Sequence, residues 1–227
     1  MNTDTIIISL GGSLVVPDEI DVNFLKDFVG LISKEVASGK KFVIITGGGK
    51  ICRKYQEAAK NIRELNSSEL DWLGIYTTRL NAEFVKTLFG GLAEENIILD
   101  PTLPVKMTKQ VLVAGGWKPG WSTDYDAVML GLGLGAKKVI NLSNINYAYD
   151  KDPNKYPDAK KIEKISWADY RALIPKEWNP GLNSPFDPIA SAIAEREGME
   201  VFILNGRKID NLTKCLHGEE FLGTVIS

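Results

Sequence analysis

The sequence predicts an α/β fold built on a large, mostly parallel β-sheet that helices cover on both faces. Short, nearly unbroken apolar runs alternate with longer segments whose apolar residues recur at helical spacing. Three of the apolar runs end in consecutive glycines, at residues 11–12, 47–49 and 115–116. Alternating strands and helices are typical of a parallel sheet, and such sheets bind ligands at the carboxyl ends of their strands. A ligand site is therefore expected where these glycines lie.

The composition fits one soluble α/β domain that spans residues 1–227. Apolar residues make up 44% and charged residues 25%, and the net charge of −2 provides no basic field for nucleic acid. Two distant cysteines, Cys52 and Cys215, favour a reducing cytoplasm over a disulfide framework. His217 is the sole histidine, which argues against His-based metal sites and Ser-His-Asp catalysis. Residues 1–4 do not resemble a signal peptide, and no apolar run is long enough for a membrane span.

In the first part of the chain, strands are predicted at residues 5–10, 42–45, 97–99 and 111–113. A helix follows Asp21, a suitable N-cap, and ends at Gly39. Further helices are predicted at residues 50–62, from 69 to about 88, and from 124 to about 134. The apolar residues of the 69–88 helix share one face, formed by Trp72, Ile75, Tyr76, Leu80 and Phe84.

In the rest of the chain, strands are predicted at residues 139–142, 201–204 and 223–226. Residues 147–188 are rich in Pro, Asn, Asp and Lys, which indicates hairpins and loops around a short helix at 167–173. Helices are also predicted at 187–198, where Pro188 suits the first turn, and at 210–216.

The strands that end in consecutive glycines indicate an anion-binding site. Glycine lets backbone approach a ligand closely, and consecutive free amides beside a helix N-terminus attract phosphate. The run GGGKICRKY adds Lys50, Arg53 and Lys54 in the first turns of the next helix. The alternative is that glycine merely makes a tight strand-to-helix turn, which suffices for any single case. Three such turns in one chain favour a ligand that carries phosphate.

The third turn, VAGGWKPGWSTDYDA, places Asp124 at a helix start. Ser122 and Thr123 can cap that helix or bind an anion. One interpretation of Asp124 is compensation of the helix dipole. The other is a carboxylate that faces phosphates and organises phosphoryl transfer.

Six segments support a more specific interpretation through their order and spacing. They are IIISLGGS, IITGGGKICRKY, NSSELDWLGIYTTRLNAEFV, AGGWKPGWSTDYDA, NLSNINYAYDKDPNKYPDAKKIEKIS and FDPIASAIAEREGMEVFILNGR. Together they resemble the amino-acid-kinase superfamily, most closely the archaeal-type uridylate (UMP) kinases, from residue 6 to 224. The resemblance implies a three-layer αβα sandwich with a large, mainly parallel sheet. It also implies an acceptor half at about 1–135 and an ATP-binding half at about 136–227.

The same resemblance implies transfer of the ATP γ-phosphoryl to UMP, giving UDP. The expected cofactor is ATP with Mg²⁺, without a tightly bound protein-ligated metal. The expected partners are UMP, ATP and further copies of the chain, as a hexamer, with no nucleic acid and no membrane.

On the acceptor side, Gly48 is expected at the UMP phosphate and Asp71 at the ribose hydroxyls. An ordinary exposed helix carboxylate is the alternative for Asp71, but its D-x-x-G-I context favours the ribose. The loop expected to enclose the uracil and its phosphate comprises Trp117, Lys118, Pro119, Gly120, Trp121, Ser122 and Thr123.

On the ATP side, the phosphates are expected along Gly11, Gly12 and Ser13, with Gly49 and Arg53 nearby. The adenosine pocket is expected at Ser143, Asn144, Tyr149 and Asp152. The resemblance assigns catalysis to Asp124, Gly12 and Arg53.

Three segments depart from the family pattern. Trp117 stands where the family has threonine, and Lys118 and Trp121 stand where it has histidines. Asn146 replaces an aspartate, and Ser9 stands where many members have lysine. Two other functions therefore stay open: a kinase of the same superfamily for isopentenyl phosphate or a small acid, and a nucleotide-binding protein without turnover.

Overall fold

The computed structural model describes residues 5–175 and 184–227. The part of the predicted loop region that falls on residues 176–183 lies outside the described residues, as do residues 1–4. Within the described ranges the helices are α1 (Gly12–Val15), α2 (Val22–Ala37), α3 (Gly49–Ile62), α4 (Ser67–Phe89), α5 (Thr123–Gly133), α6 (Trp167–Leu173), α7 (Pro188–Arg196) and α8 (Ile209–Leu216).

The strands form one seven-stranded sheet and a two-stranded ribbon. The strands are β1 (Thr5–Leu10), β2 (Lys41–Thr46), β3 (Val111–Ala114), β4 (Lys138–Ser143), β5 (Ala148–Tyr149), β6 (Lys161–Ile162), β7 (Lys164–Ile165), β8 (Glu200–Asn205) and β9 (Thr224–Ile226). The large sheet has the order β3-β2-β1-β4-β8-β9-β7, and β5 pairs with β6. Every pair in the large sheet is parallel except β8 with β9. The mainly parallel sheet that the sequence predicts is confirmed.

Two apolar cores separate the sheet from its helices, and this gives three layers. Side chains alternate between the two faces of a strand, so Ile8 of β1 enters one core and Ile7 enters the other. The first core packs α1, α2, α4 and α8 against the sheet. The second packs α5, α6 and α7 against the opposite face. The three-layer αβα arrangement is thereby confirmed.

The register of the central strands places two polar side chains next to each other. Ser9 of β1 lies opposite Asn141 of β4 in a parallel pairing. Both are nearly buried, although their strands are otherwise apolar. Their period-two neighbours, Ile7 and Val139, enter the core that holds α5, so Ser9 and Asn141 point toward the same helix.

Helix α4 begins earlier than predicted, and of its predicted apolar face only Ile75 is buried. The side chain of Asn66 accepts from the Glu69 amide and Glu69 accepts from the Asn66 amide, which fixes the start at Ser67. Trp72, Tyr76 and Leu80 are 39%, 64% and 65% exposed. Helical periodicity identified the helix but did not reveal which of its faces meets the sheet.

The predicted strand at residues 97–99 is wrong. Ile98 makes a single bridge to Ala114, so the segment runs beside β3 without forming a ladder. The short helix α1 was not predicted, because its four residues directly after β1 are too few to show periodicity.

Candidate active site

The first two glycine turns lie in direct backbone contact at the carboxyl ends of β1 and β2. A Cβ atom on Gly12 would lie 2.1 Å from the Gly49 nitrogen and 2.5 Å from the Gly47 carbonyl carbon. A Cβ on Gly47 would lie 2.6 Å from the Gly12 nitrogen. Gly49 has a φ of +71°, a conformation that side chains rarely adopt. These glycines are therefore required for the contact between the turns.

The two turns leave backbone donors free at one place. In residues 5–175 and 184–227 the amides of Gly12, Ser13 and Gly48 donate no hydrogen bond to a protein acceptor. The Gly11 amide differs, because it donates to the Leu142 carbonyl at 2.8 Å. Free amides at neighbouring strand ends form a surface suited to phosphate oxygens.

The third glycine turn is built differently, since its amides are already used. Gly115 donates to the Ile98 carbonyl at 3.1 Å, and Gly116 donates to the Thr78 hydroxyl at 2.7 Å. Trp117 donates to a carboxylate oxygen of Asp126 at 3.2 Å. The phosphate-binding interpretation of this glycine pair has no free amide to support it. The glycines instead allow close packing on α4, because a Cβ on Gly115 would lie 2.9 Å from Arg79.

Asp124 lies in the first turn of α5, where three elements converge on its carboxylate. Oδ1 accepts from Ser9 Oγ at 3.0 Å and from Asn141 Nδ2 at 3.2 Å. Oδ2 accepts from the Asp187 amide, before α7, at 3.2 Å. The register of β1 and β4 thus explains why one serine and one asparagine occupy otherwise apolar strands. Ser122, the residue before α5, accepts from the Tyr125 amide and caps this helix.

The surroundings of Asp124 disfavour its negative charge. Burial and the neighbouring Asp187 raise the pKa of Asp124 to about 7, although hydrogen bonds from Ser9 and the Asp187 amide lower it. Asp187 caps α7 by accepting from the Ala190 amide at 2.7 Å, and burial raises its pKa too. Its Oδ2 is buried and finds no partner among the described residues. Two neighbouring carboxylates whose negative charges are only weakly neutralised are suited to a site that binds cations.

The predicted acceptor loop, residues 117–123, folds over α5 and touches α4. The rings of Trp117, Trp121 and Tyr125 contact one another, with centroids 4.1–6.0 Å apart. The Lys118 ammonium lies 3.8 Å from the centroid of the Trp117 ring. The Gly120 amide donates to Asp71 Oδ2 at 2.8 Å. The structure therefore brings Asp71 and this loop together, as one acceptor site requires.

The four predicted adenosine residues line one pocket of about 450 Å³. Ser143 ends β4 and Asn144 follows it, Tyr149 lies in β5, and Asp152 lies in the following loop. Ser184 and Pro185 also line this pocket. The Pro185 carbonyl accepts from Asn141 Nδ2 at 3.3 Å, and the same nitrogen donates to Asp124, so the pocket lining is connected to the Asp124 carboxylate.

The cationic side chains of α3 lie beside the two touching turns. Arg53 is exposed, and no carboxylate within the described ranges forms an ion pair with it. Lys50 and Lys54 instead contact the exposed carboxylate of Asp18, at 3.3 and 2.6 Å. Exposed ion pairs of this kind contribute little to stability, so the lysines can exchange Asp18 for a ligand anion.

Several residues that shape the site were not recognised in the sequence. Asn141, Asp187, Arg79 and Asp126 all contact predicted site residues or the turns next to them. For Asn141 and Asp126 a signal exists, since each is a polar residue within a buried apolar segment. No such signal marks Arg79 in the sequence, because arginine is an ordinary residue on a helix surface.

The fold and this sheet edge define an α/β protein with a ligand site at the carboxyl ends of its parallel strands. No helix of the described residues is both long and apolar enough to cross a membrane. Nor do the described residues contain a group of three or more His, Cys, Asp or Glu side chains that could hold a metal ion.

Comparison with known proteins identifies the family. Residues 4–205 match the amino acid kinase family, and the chain belongs to it. The uridylate kinase of Thermoplasma acidophilum is 33% identical, with 98% of this chain and 96% of that protein covered. The uridylate kinase of Methanobrevibacter smithii is 34% identical, with 98% and 99% covered. The crystal structure of uridylate kinase from Archaeoglobus fulgidus superposes with a TM-score of 0.82 at 28% identity, with 98% of this chain and 99% of that one covered.

Proposed function

We propose that this chain is an ATP-dependent UMP kinase that transfers the γ-phosphoryl group of ATP to UMP and yields UDP. The observation that carries the proposal is the pair of touching glycine turns, whose free amides lie at the same strand ends as Asp124. Uridylate kinases that align with the whole chain support UMP as the acceptor. The contact between Asp71 and the acceptor loop supports a nucleotide over a small aliphatic acceptor.

The two substrates would meet at the touching turns. We assign the acceptor half to residues 1–135, which contain Gly48, Asp71 and the acceptor loop. We assign ATP to residues 136–227, which contain the pocket of Ser143, Asn144, Tyr149 and Asp152. Its phosphates extend from that pocket to Gly11, Gly12, Ser13 and Gly49, because β1 and β4 are neighbours in the sheet.

The reaction requires positioning and charge stabilisation rather than a general base. The phosphate of UMP is a nucleophile at neutral pH, so no side chain has to remove a proton from it. The amides of Gly12, Ser13 and Gly48 hold the phosphates in line, and Arg53 neutralises charge on the phosphate oxygens. Asp124 orients the cationic groups that surround the transferring phosphoryl.

The residues present fit Mg²⁺ that arrives with ATP. Oxygen ligands suit Mg²⁺, and the buried Oδ2 of Asp187, which has no hydrogen-bond partner in residues 5–175 and 184–227, lies beside the Asp124 carboxylate. Asp124 and Asp187 would hold the ion together with the ATP phosphates. When bound, it neutralises the charge that develops between the two phosphates.

We also infer a cytoplasmic homo-oligomer, with a hexamer as the expected assembly. The exposed residues Trp72, Tyr76 and Leu80 on α4 provide an apolar surface that a second copy would cover. Size-exclusion chromatography with light scattering measures the assembly directly.

A coupled assay of ADP release tests the proposed function. Purified protein is given ATP and Mg²⁺ with UMP, CMP, AMP or isopentenyl phosphate as the acceptor. We expect the highest kcat/KM with UMP. Faster turnover with isopentenyl phosphate would identify a different kinase of the family. Binding of UMP and ATP without ADP release would identify a nucleotide-binding protein without turnover.

A further inference from the structure

Arg79 holds the start of the acceptor loop by its backbone. Its Nε donates to the Gly116 carbonyl at 3.0 Å, and its Nη2 donates to the Trp117 carbonyl at 2.7 Å. Bonds from a guanidinium are charge-assisted, and its rigid, planar fork fixes the relative position of two acceptors. The orientation of these two peptide groups therefore depends on one side chain.

The remaining polar groups of the same two residues are satisfied by neighbouring side chains. The Gly116 amide donates to Thr78 Oγ1 and the Trp117 amide donates to Asp126 Oδ2. Thr78 and Arg79 belong to α4, whereas Asp126 belongs to α5. Gly116 and Trp117 are thus held between two helices through both their amides and their carbonyls.

Helix α4 contacts the loop a second time, two turns earlier. Asp71 and Thr78 are seven residues apart, so they lie on the same helix face about 10 Å from each other. Asp71 accepts from the Gly120 amide, while Thr78 and Arg79 hold Gly116 and Trp117. The helix therefore holds the loop at its start and at its middle, and one of these contacts is made by Asp71, the carboxylate assigned to the ribose.

The guanidinium of Arg79 is itself held in place. Its Cζ lies 5.9 Å from the Trp72 ring centroid and 5.7 Å from that of Tyr76. Gly115 has no side chain where the Arg79 stem passes, since a Cβ there would lie 2.9 Å from Arg79 Cγ. The side chain is thus pre-positioned between the surface of α4 and the loop.

We propose that Arg79 is a positioning residue that keeps the acceptor loop in the register where the Gly120 amide meets Asp71. In this way it sets the affinity and selectivity for the acceptor nucleotide. The identity of that nucleotide rests on the proposed function, whereas the position of the loop does not.

The test compares Arg79→Met and Arg79→Lys with the wild-type protein by calorimetric titration of UMP and of ATP. We expect Arg79→Met to weaken UMP binding about tenfold, because both charged hydrogen bonds that position the loop are lost, with ATP binding within twofold of wild type. Arg79→Lys keeps one donor group, so its affinity for UMP is expected to lie between those of the wild-type protein and Arg79→Met. Arg63→Lys is the matched control, because Arg63 also contacts α4 through Glu69 but lies away from the loop.

A double-mutant cycle with Asp71→Asn distinguishes positioning from a general loss of structure. If Arg79 acts through the contact between Gly120 and Asp71, the two changes together weaken UMP binding by less than the product of their separate effects. The inference would be overturned if the effects of the two changes on UMP binding multiplied. It would also be overturned if Arg79→Met left UMP binding unchanged, or weakened the binding of UMP and of ATP equally. If Arg79→Met does not fold, the same readouts on Arg79→Lys decide.

Hydrogen exchange of the peptide that contains Gly120 tests the loop without any nucleotide. We expect faster exchange in Arg79→Met than in wild type, with unchanged exchange in the peptides of β1 and β4. Equal exchange in the two proteins would refute the positioning role. Wild-type protein that binds no UMP, yet shows the expected exchange, would refute the proposed acceptor and leave the positioning role intact.

Discussion

Asp124 shows how a single residue acquires its properties from three separate parts of the chain. Ser9, Asn141 and the Asp187 amide all donate to it, whereas burial and the Asp187 carboxylate disfavour its charge. The position of Asp124 at a helix start, directly after Ser122 and Thr123, marked the residue, but its partners lie 17 to 115 positions away. Sequence reasoning therefore identified the carboxylate and could not identify the residues that tune it.

Replacing Asp124 by Asn tests its role in turnover. The nearly isosteric amide keeps the shape of the side chain and loses the charge that we propose to orient the cations. We expect kcat to fall by about 10²-fold or more, or about 2.7 kcal/mol of transition-state stabilisation. Nucleotide binding, measured by calorimetry, is expected to change far less.

The matched control is Asp210→Asn, because Asp210 also lies in the first turn of a helix but is exposed and outside the site. Compensation of the helix dipole contributes about 0.3–1 kcal/mol to stability at either position. If Asp124→Asn kept wild-type kcat and lost only stability, as expected for Asp210→Asn, the catalytic role would be refuted.

At the scale of elements, the sequence was informative where local chemistry decides the structure. The apolar runs of β1, β2, β4 and β8 and the capping residues Asp21 and Ser122 were visible because strands and caps depend on neighbouring residues. The exposed face of α4 and the bridge at Ile98 depend on how distant elements pack. The contact between the first two glycine turns depends on packing as well, and only the structure distinguishes these turns from the third.

The backbone contact between the first two glycine turns predicts opposite effects on stability for two glycine-to-alanine changes. Gly12→Ala would place a Cβ within 2.5 Å of backbone atoms of the second turn. We expect it to lower the free energy of unfolding by about 1–3 kcal/mol or more. Gly30→Ala is the control in the middle of α2, where a Cβ meets no atom within 4 Å.

In Gly30→Ala the free energy of unfolding is expected to rise by about 0.5–1 kcal/mol, since alanine favours helix. Urea denaturation followed by circular dichroism measures both variants. A Gly12→Ala protein with a wild-type midpoint would show that the two turns can separate without cost. It would also remove the structural reason for glycine at this position.

Across the whole molecule, a buried carboxylate links the end of α2 to the end of α8. Glu35 is 4% exposed and accepts from Lys40 Nζ at 2.6 Å, while His217 Nε2 lies 3.0 Å from its other oxygen. Lys40 also donates to the Leu216 carbonyl at 3.1 Å. Burial raises the pKa of Glu35, but the hydrogen bonds and charges of Lys40 and His217 together outweigh it and leave the pKa below 4.5.

This pKa shift predicts a pH-dependent contribution to stability. Because the folded-state pKa is lowered, the contribution is complete above about pH 4.5, the ordinary pKa of the side chain, and is lost as the pH falls through the folded value. We expect Glu35→Gln to lower the free energy of unfolding by about 1.5–3 kcal/mol at pH 7, and by less below pH 4. Denaturant midpoints at pH 7 and pH 3.5 measure the difference.

Glu57→Gln, at an exposed position on α3, serves as the control and is expected to change stability by less than about 0.5 kcal/mol at either pH. A Glu35→Gln difference that stays the same at both pH values would show that the lost interaction does not depend on the charge of Glu35.

The backbone contact between the first two glycine turns also determines which parts of the candidate site can be redesigned. Gly12, Gly47 and Gly49 have no room for a side chain, so the spacing of the two proposed phosphate sites is not open to adjustment by substitution. The acceptor loop is held instead by side chains of α4 and α5 that can be exchanged. Libraries that seek a kinase for a new acceptor should therefore vary residues 71–79 and 117–121 and leave the glycine turns untouched.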